Sequence, residues 1–434
     1  MKYIAEIRAA QHDPHTLEML YQKARRQNES TEFAGDIFAC YQESPDNILY
    51  AAWYHRLQAE SFALPAVHAD THWKLAVPLG IVAGLILWLL SDPRLVFPDR
   101  TPFLAIAWAP IEACFVILFL TLAAGKSLAR VWPILLGVLG FLLYASVFAW
   151  LPHREQYKII AMLHLPLLAW IGVGLHILGL RSKHADRFAF LAKAMEAFIT
   201  MGVFAAAGGV FVIITYGLFE ALGLRLSDAV MRLLAVGGGG AIPVMAVASV
   251  YNPQLGPTAQ RFEQGLSKLI STLMRLLLPL TLLVLVIYLC VIPFNFMAPF
   301  RSRDILIVYN AMLFAILGLL IGATPVHESA LTPEHERALR TGILALAILA
   351  VLISVYALSA TIYRTLQGAI TPNRLTVIGW NSINIGILVQ LIYRQLKKGN
   401  EHWIHAMQFA IGTGAIAYIG WTIFLILALP VLFR

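Results

Sequence analysis

From Trp73 to residue 434, apolar runs of close to twenty residues follow one another with only short polar breaks between them. An α-helix needs roughly 20 apolar residues to cross the hydrocarbon core of a bilayer. A helix also satisfies its backbone hydrogen bonds internally, which hydrocarbon requires. The pattern therefore predicts about eleven membrane-spanning helices, at residues 75–91, 103–124, 131–150, 158–180, 194–222, 229–250, 268–292, 304–323, 338–362, 375–395 and 407–431.

The composition agrees with this prediction. Hydrophobic residues make up 59% of the 434 residues and charged residues 13%, and the mean hydropathy is +0.73. Soluble domains average about 45–50% apolar and about 25% charged residues. We therefore predict an all-α fold, a polytopic helical membrane bundle. Cys40, Cys114 and Cys290 do not pair by spacing, so we expect neither a disulfide framework nor a zinc cluster.

The first sixty residues differ from the rest. MKYIAEIRAAQHDPHTLEML has no unbroken apolar core, so we do not expect a signal peptide. Asp13-Pro14 is predicted to begin a helix that ends near Arg26, Ser30 or Thr31 to cap a second helix, and Asp46 to cap a third. The predicted organisation is an N-terminal helical cytoplasmic domain over 1–60, a linker over 61–72 and the bundle over 73–434. The domain is either a folded cap on the bundle or a module that docks a protein partner.

The charge distribution indicates an orientation. Residues 1–70 hold 6 Lys/Arg and 10 Asp/Glu, a net charge of −4, whereas residues 71–434 hold 26 and 14, a net charge of +12. The basic excess lies mostly in short loops, which favours contact with membrane lipid and excludes nucleic acid as the expected partner. If the N-terminus is cytoplasmic, fourteen basic residues flank the inner ends of the spans and ten the outer ends. We therefore predict a cytoplasmic N-terminus.

Five polar residues inside the spans are candidates for a transport pathway or a ligand site: Glu112, His164, Asn310, Asn381 and Asn384. Ionisable groups in hydrocarbon are costly and are therefore functional candidates. Glu112 could couple transport to protons or contact a cation, or it could be a neutral packing residue. We expect a Glu112 that serves transport to lie near His164 or the asparagines. Each asparagine could instead link two helices by a hydrogen bond.

The sixth span contains a run of four glycines, Gly237, Gly238, Gly239 and Gly240. Such a run either lets another helix pack closely or unwinds beside a cavity. In the loop over 327–340, His327, Glu328 and His335 could be imagined around a metal ion, but no HExxH spacing occurs. We therefore predict no metal site and no cofactor.

Residues 361–386 predict a tight hairpin between two spans. Gly368 is expected to adopt the left-handed conformation that ends a helix. Thr371 is expected to cap the next helix, with Pro372 at its first position. Arg364 and Arg374 flank the turn. They could bind an anionic group, such as a lipid phosphate or a substrate carboxylate, or act as interfacial anchors.

The segment from Gly368 to Arg374, which reads Gly-x-x-Thr-Pro-Asn-Arg between two helices, resembles the bacterial multi-pass membrane proteins of unknown-function family 4153. The resemblance implies a polytopic protein of the bacterial inner membrane. It implies no substrate and no catalytic residue.

Three classes of function remain open. A transporter or channel-like protein for a small solute or ion would use Glu112 and the asparagine-bearing helices as its path. A non-transporting scaffold or sensor would dock a partner through the N-terminal domain. A lipid-modifying membrane enzyme would need a polar site at head-group level, for which Arg364 and Arg374 are the candidates.

The cytoplasmic N-terminus can be tested with a single cysteine at Ser61, after Cys40 has been replaced. An impermeant thiol reagent should leave this cysteine unlabelled in intact cells and label it after permeabilisation, because the membrane separates the two. Labelling in intact cells would show the opposite orientation.

Overall fold

The computed structural model describes residues 3–26, 29–62, 72–151, 155–327, 332–398 and 402–433. These residues form helices and connecting turns, with one isolated β-bridge between Val96 and Pro102 as the only extended pairing among them. The predicted all-α fold is confirmed. The chain divides into two compact units, Met1–Thr71 and His72–Arg434.

The first unit contains four described helices, α1 (Ile4–Ala9), α2 (Pro14–Arg26), α3 (Ser30–Glu43) and α4 (Ile48–Phe62). Asp13 caps α2 as predicted, because its Oδ1 accepts from the backbone N–H of His15 and Thr16. The predicted cap of α4 is wrong by one residue: Asn47, not Asp46, accepts from the first turn. The predicted cap of α3 is also displaced, since Glu29 precedes that helix. The sequence analysis did not predict α1.

An aromatic cluster forms the core of this unit. Phe33 is fully buried, and its ring lies 5.6–6.0 Å from the rings of Tyr3, Tyr21 and Trp53. The backbone N–H of Tyr3 donates to Asp36 at 2.7 Å, which ties the start of α1 to α3. Most of the predicted linker, residues 63–71, lies outside the described residues.

The second unit contains eleven described helices that are long and apolar enough to cross a membrane, as predicted. They are α5 (Trp73–Leu90), α6 (Leu104–Ala123), α7 (Trp132–Trp150), α8 (Glu155–Leu178), α9 (His184–Ala221), α10 (Asp228–Val250), α11 (Gly265–Val291), α12 (Arg303–Ala323), α13 (Pro333–Leu366), α14 (Pro372–Lys398) and α15 (Trp403–Leu427). Helix α9 begins ten residues earlier than predicted. Hydropathy finds only the apolar part of a helix, whereas the first turns of α9 carry charged residues.

Large apolar side chains cover the outside of this unit. On α11 alone, Leu276, Leu280, Leu283 and Val284 are each more than half exposed. In water such a surface would be a strong aggregation liability, whereas lipid is an ordinary solvent for it. The length of the helices and their exposed apolar faces together make this chain an integral, multi-pass membrane protein.

Small residues bring α5 and α10 into close contact. A Cβ atom built on Gly84 would lie 2.1 Å from the carbonyl oxygen of Gly237, and one on Gly80 would lie 3.1 Å from that of Ala241. On α10 the contact falls at a π-helical turn, Leu233–Gly237, that precedes the regular helix. Close packing therefore explains the need for glycine at two of the four glycine positions of α10, Gly237 and Gly240. At Gly238 and Gly239 no atom lies within 4 Å of the Cβ position, so a side chain would meet open space.

An ion pair between a buried lysine and a partly exposed aspartate fixes the loop between α5 and α6. The Lys158 ammonium, on α8, lies 2.5 Å from the Asp99 carboxylate and 5.3 Å from the centre of the Phe97 ring. Lys158 is 5% exposed, whereas the Asp99 side chain is 33% exposed, so only the ammonium is removed from water. The ammonium lowers the pKa of Asp99 to about 2, and hydrogen bonds from Thr101 contribute in the same direction.

We expect Gly84→Ala to destabilise the protein by about 1–3 kcal/mol, because the new methyl group meets backbone that cannot move unless the two helices separate. The measurement is thermal unfolding in detergent. Gly239→Ala is the matched control and should leave the melting temperature unchanged, since its methyl group enters open space. Equal melting temperatures for both variants would contradict the contact.

Asp99→Asn should lower stability by about 1–3 kcal/mol near neutral pH, because it leaves the buried Lys158 ammonium without its counter-charge. The folded pKa of Asp99 lies below its usual value of 3.8, so the stabilisation is complete above about pH 4 and is lost as the pH falls towards 2. The wild-type and variant melting temperatures should therefore differ by a constant amount from pH 7 to pH 5. A difference that shrinks within this range would contradict the pairing, and Asp92→Asn in the same loop is the control.

Candidate functional site

Glu112 lies on α6, is 4% exposed and faces α10. Its Oε1 atom would lie 3.2 Å from a Cβ on Gly240, so the absence of a side chain there leaves room for the carboxylate. Neither carboxylate oxygen has a hydrogen-bond partner in the described part of the chain. Glu112 is therefore not joined to His164 or to the three asparagines by hydrogen bonds.

His164, on α8, is instead bonded to Trp380 on α14. The Trp380 Nε1–H donates to His164 Nε2 at 2.9 Å, and His164 Nδ1 lies 2.7 Å from the carbonyl oxygen of Ile160. An indole N–H can only donate, so Nε2 carries no proton and Nδ1–H donates to the Ile160 carbonyl. This arrangement fixes His164 as a neutral imidazole with both nitrogen atoms satisfied.

The same contacts continue onto α12 and α15. The Trp380 ring lies 5.1 Å from the Tyr418 ring and 5.4 Å from the Phe314 ring. The Tyr418 hydroxyl donates to the Asn384 side-chain carbonyl. Four helices, α8, α12, α14 and α15, thus meet around one group of aromatic and polar residues.

We call this group the polar seam: His164, Trp380, Asn381, Asn384, Tyr418 and Trp421. Asn381 and Asn384 are 1% and 0% exposed. Both polar side-chain atoms of Asn381, the Nδ2 of Asn384 and the Nε1 of Trp421 have no hydrogen-bond partner in the described part of the chain. Most buried polar groups in native proteins are bonded, so four unpaired atoms on adjacent helices are unusual.

The antiparallel pairing of α14 and α15 places these atoms at neighbouring levels. Asn384 bonds Tyr418, and Asn381 and Trp421 each lie about one turn nearer the 367–371 turn on their own helices. The Trp421 ring occupies the space above Gly379, where a Cβ would lie 1.9 Å from it. Asn310 lies one turn from Phe314 on α12, donates to the Leu306 carbonyl and leaves its own Oδ1 unpaired among the described residues.

The hairpin between α13 and α14 follows the prediction only in part. Thr371 caps α14, because its Oγ1 accepts from the backbone N–H of Arg374 at 3.3 Å, and Pro372 is the first helical residue. The left-handed conformation predicted for Gly368 is wrong, since its φ is not positive. Gly368 is instead constrained by space. The Arg374 guanidinium donates to the Ala369 carbonyl at 2.8 Å, and a Cβ atom on Gly368 would lie 3.0 Å from it.

Arg364 and Arg374 differ in how far their guanidinium groups are already bonded within the protein. Arg374 is bound to the backbone of its own turn. Arg364 is partly buried, and its Nη1 has no partner among the described residues.

The sequence analysis missed one further site. A cavity of about 220 Å³ lies between α9, α11 and α12, where it is lined by polar residues of α11 and by Glu196 of α9. The signal was present as a polar stripe on an otherwise apolar helix, with Ser267, Lys268, Ser271, Thr272 and Arg275 at successive helical turns.

The two described candidates for metal ligands near residue 327, His327 and His335, each contact an oxygen atom of the protein. His327 Nε2 lies 3.0 Å from the Thr258 carbonyl oxygen, and His335 Nδ1 lies 2.6 Å from the Thr332 hydroxyl. Glu328 lies outside the described residues. The described residues contain no group of three His, Cys, Asp or Glu that could hold a metal ion.

Comparisons of this chain with protein-family models, with curated proteins and with solved structures found no match in any of the three. Fold and site together define a multi-pass helical membrane protein, with eleven helices among the described residues long enough to cross a membrane and a polar seam inside one part of the bundle.

Proposed function

We propose that this membrane protein transports a small polar solute or ion, and that the polar seam is the part of the path inside the membrane. The observation that supports the proposal is the set of unpaired polar atoms on Asn381, Asn384 and Trp421. In a bundle that served only as an anchor, apolar residues would fill these positions at lower free energy.

A buried polar group without a partner destabilises a protein by about 1–3 kcal/mol. Hydrocarbon supplies no replacement partner. Water or a polar solute that enters this part of the bundle in another conformation would supply partners for the Asn381 amide, the Asn384 Nδ2 and the Trp421 N–H.

The depth of the seam supports the same function. His164 lies nine residues after the start of α8, Asn381 nine after the start of α14 and Tyr418 nine before the end of α15. At 1.5 Å per residue, each lies about 14 Å from the helix end. In a hydrocarbon core about 30 Å thick, this is near the midplane, where membrane transporters bind their substrates.

The chemistry of the seam constrains the solute. Its lining has two amides, a phenol, two indoles and a neutral imidazole, and no formal charge. Such groups bind hydrogen-bonding solutes, or a cation through amide oxygen atoms and aromatic faces. We place Glu112 outside this path, because its carboxylate lies against Gly240 of α10 and no hydrogen bond joins it to a seam residue.

The remaining assignments are proposals of the same kind. Loop charges favour a cytoplasmic N-terminus, and the hairpin resemblance favours the bacterial inner membrane. The N-terminal unit favours a second candidate function, the docking of a protein partner. Its surface carries an aromatic group that a partner could contact. Phe38 is 42% exposed and lies 5.5 Å from the Tyr54 ring, which stacks on Tyr41 at 4.8 Å.

The third candidate, a lipid-modifying enzyme, has less support, because the Arg374 guanidinium is bound to the backbone of its own turn.

The test uses single cysteines in a variant whose Cys40, Cys114 and Cys290 have been replaced. A small, charged, water-soluble thiol reagent should modify Asn381→Cys in membranes at least ten times faster than Leu388→Cys. Both positions are buried on α14, but Leu388 belongs to the apolar core. Glu112→Cys should react as slowly as the control.

Equal, slow reaction at positions 381 and 388 would contradict a hydrated path and leave the scaffold as the better function. Fast reaction at position 112 together with slow reaction at position 381 would move the path to α6. Size-exclusion profiles identical to that of the parent protein are the criterion for native folding of each variant.

A further inference from the structure

The cavity between α9, α11 and α12 is separate from the polar seam in both position and chemistry. It lies at the end of the bundle opposite the 367–371 turn, where α9 and α11 begin and α12 ends. Ser267, Lys268, Ser271, Thr272 and Arg275 line it from α11. We call this cavity the α11 pocket.

A closed charge network forms one wall of the α11 pocket. The Lys193 ammonium lies 2.6 Å from Glu196 Oε2 and donates to Ser267 Oγ at 3.0 Å. The Ser267 hydroxyl donates to the same Glu196 oxygen at 2.5 Å. All three residues are less than 9% exposed. Because Lys193 neutralises Glu196 locally, the network adds little net charge to the pocket.

The charges that remain are mainly positive. Arg275 and Lys268 line the pocket, and Glu263 is the one other acidic residue of its lining. Arg275 Nε donates to the Ala323 carbonyl at the end of α12, at 3.1 Å. This bond fixes the plane of the guanidinium. A fixed guanidinium can bind a carboxylate or a phosphate through two parallel hydrogen bonds.

The hydroxyl groups around Arg275 suit the same ligand. Ser271 and Thr272 donate to the Lys268 carbonyl within α11, at 3.0 and 2.8 Å. A hydroxyl rotates freely, so either group can turn to donate to an oxyanion in the pocket. A guanidinium, an ammonium and two hydroxyls thus line one small space.

The volume suits a small ligand. About 220 Å³ has room for a phosphate or carboxylate group with a small attached body. It lies below the roughly 300–1,000 Å³ of typical small-molecule pockets.

We propose that the α11 pocket is a binding site for a small oxyanion, a phosphate or carboxylate group, held by Arg275 and Lys268. Two sources carry this chemistry at the end of a membrane bundle: a dissolved solute and the head group of an anionic lipid. The proposal does not depend on transport through the polar seam, and its test involves none of the seam residues.

The first measurement is the melting temperature of the purified full-length protein in detergent, titrated with inorganic phosphate or acetate against chloride at equal ionic strength. We expect phosphate or acetate to raise it. Lys268→Gln should weaken the apparent affinity several-fold. Arg275→Lys should weaken it about tenfold, since the lysine keeps the charge but loses the paired hydrogen bonds. Lys126→Gln, which removes an exposed charge outside the pocket, should bind as the wild type does.

The second measurement distinguishes the sources. In nanodiscs, phosphatidylglycerol should stabilise the wild type relative to phosphatidylcholine if a lipid head group is the ligand, and Lys268→Gln should remove that difference. A response to dissolved phosphate or acetate alone assigns a solute. The proposal is overturned if neither arm responds in the wild type, or if Lys268→Gln and Arg275→Lys respond as Lys126→Gln does. Lys268 is exposed, so its variant remains informative even if Arg275→Lys does not fold.

Discussion

Hydrocarbon offers no hydrogen-bond partner, and this constraint governs most of the second unit. Every backbone amide inside the membrane must be paired within the chain, so the spans are helices and their outer faces are apolar. Helix association then cannot rely on the exclusion of water, and close packing takes its place. The contact of Gly84 with Gly237 shows this, because even one methyl group would not fit between the two backbones.

The same constraint makes each polar contact inside the bundle informative. Lys158 and Asp99, Lys193 and Glu196, and His164 and Trp380 form pairs that remove the cost of burying a charge or a polar group. Asn381 and Glu112 are exceptions, since the polar side-chain atoms of both residues are buried without a partner among the described residues. A site that must exchange bonds with a passing solute needs such unpaired groups in at least one conformation.

Two polar regions with different chemistry follow from this arrangement. The polar seam is uncharged and lies about nine residues inside its helices, whereas the α11 pocket carries two cationic side chains and lies where α9 and α11 begin and α12 ends. A neutral lining suits passage, because binding must remain weak enough for release. A fixed guanidinium, such as that of Arg275, suits retention of an oxyanion.

The sequence by itself determined the class of protein, the eleven spans and the caps at Asp13 and Thr371, because hydropathy and capping depend on neighbours along the chain. It could not determine which spans touch. That Trp380 reaches His164 and that Glu112 faces Gly240 depend on contacts between residues far apart in sequence. Only the tertiary structure decided these contacts. The wrong prediction of a left-handed Gly368 has the same cause. A glycine required by a positive φ and a glycine required by a nearby guanidinium cannot be told apart from the sequence.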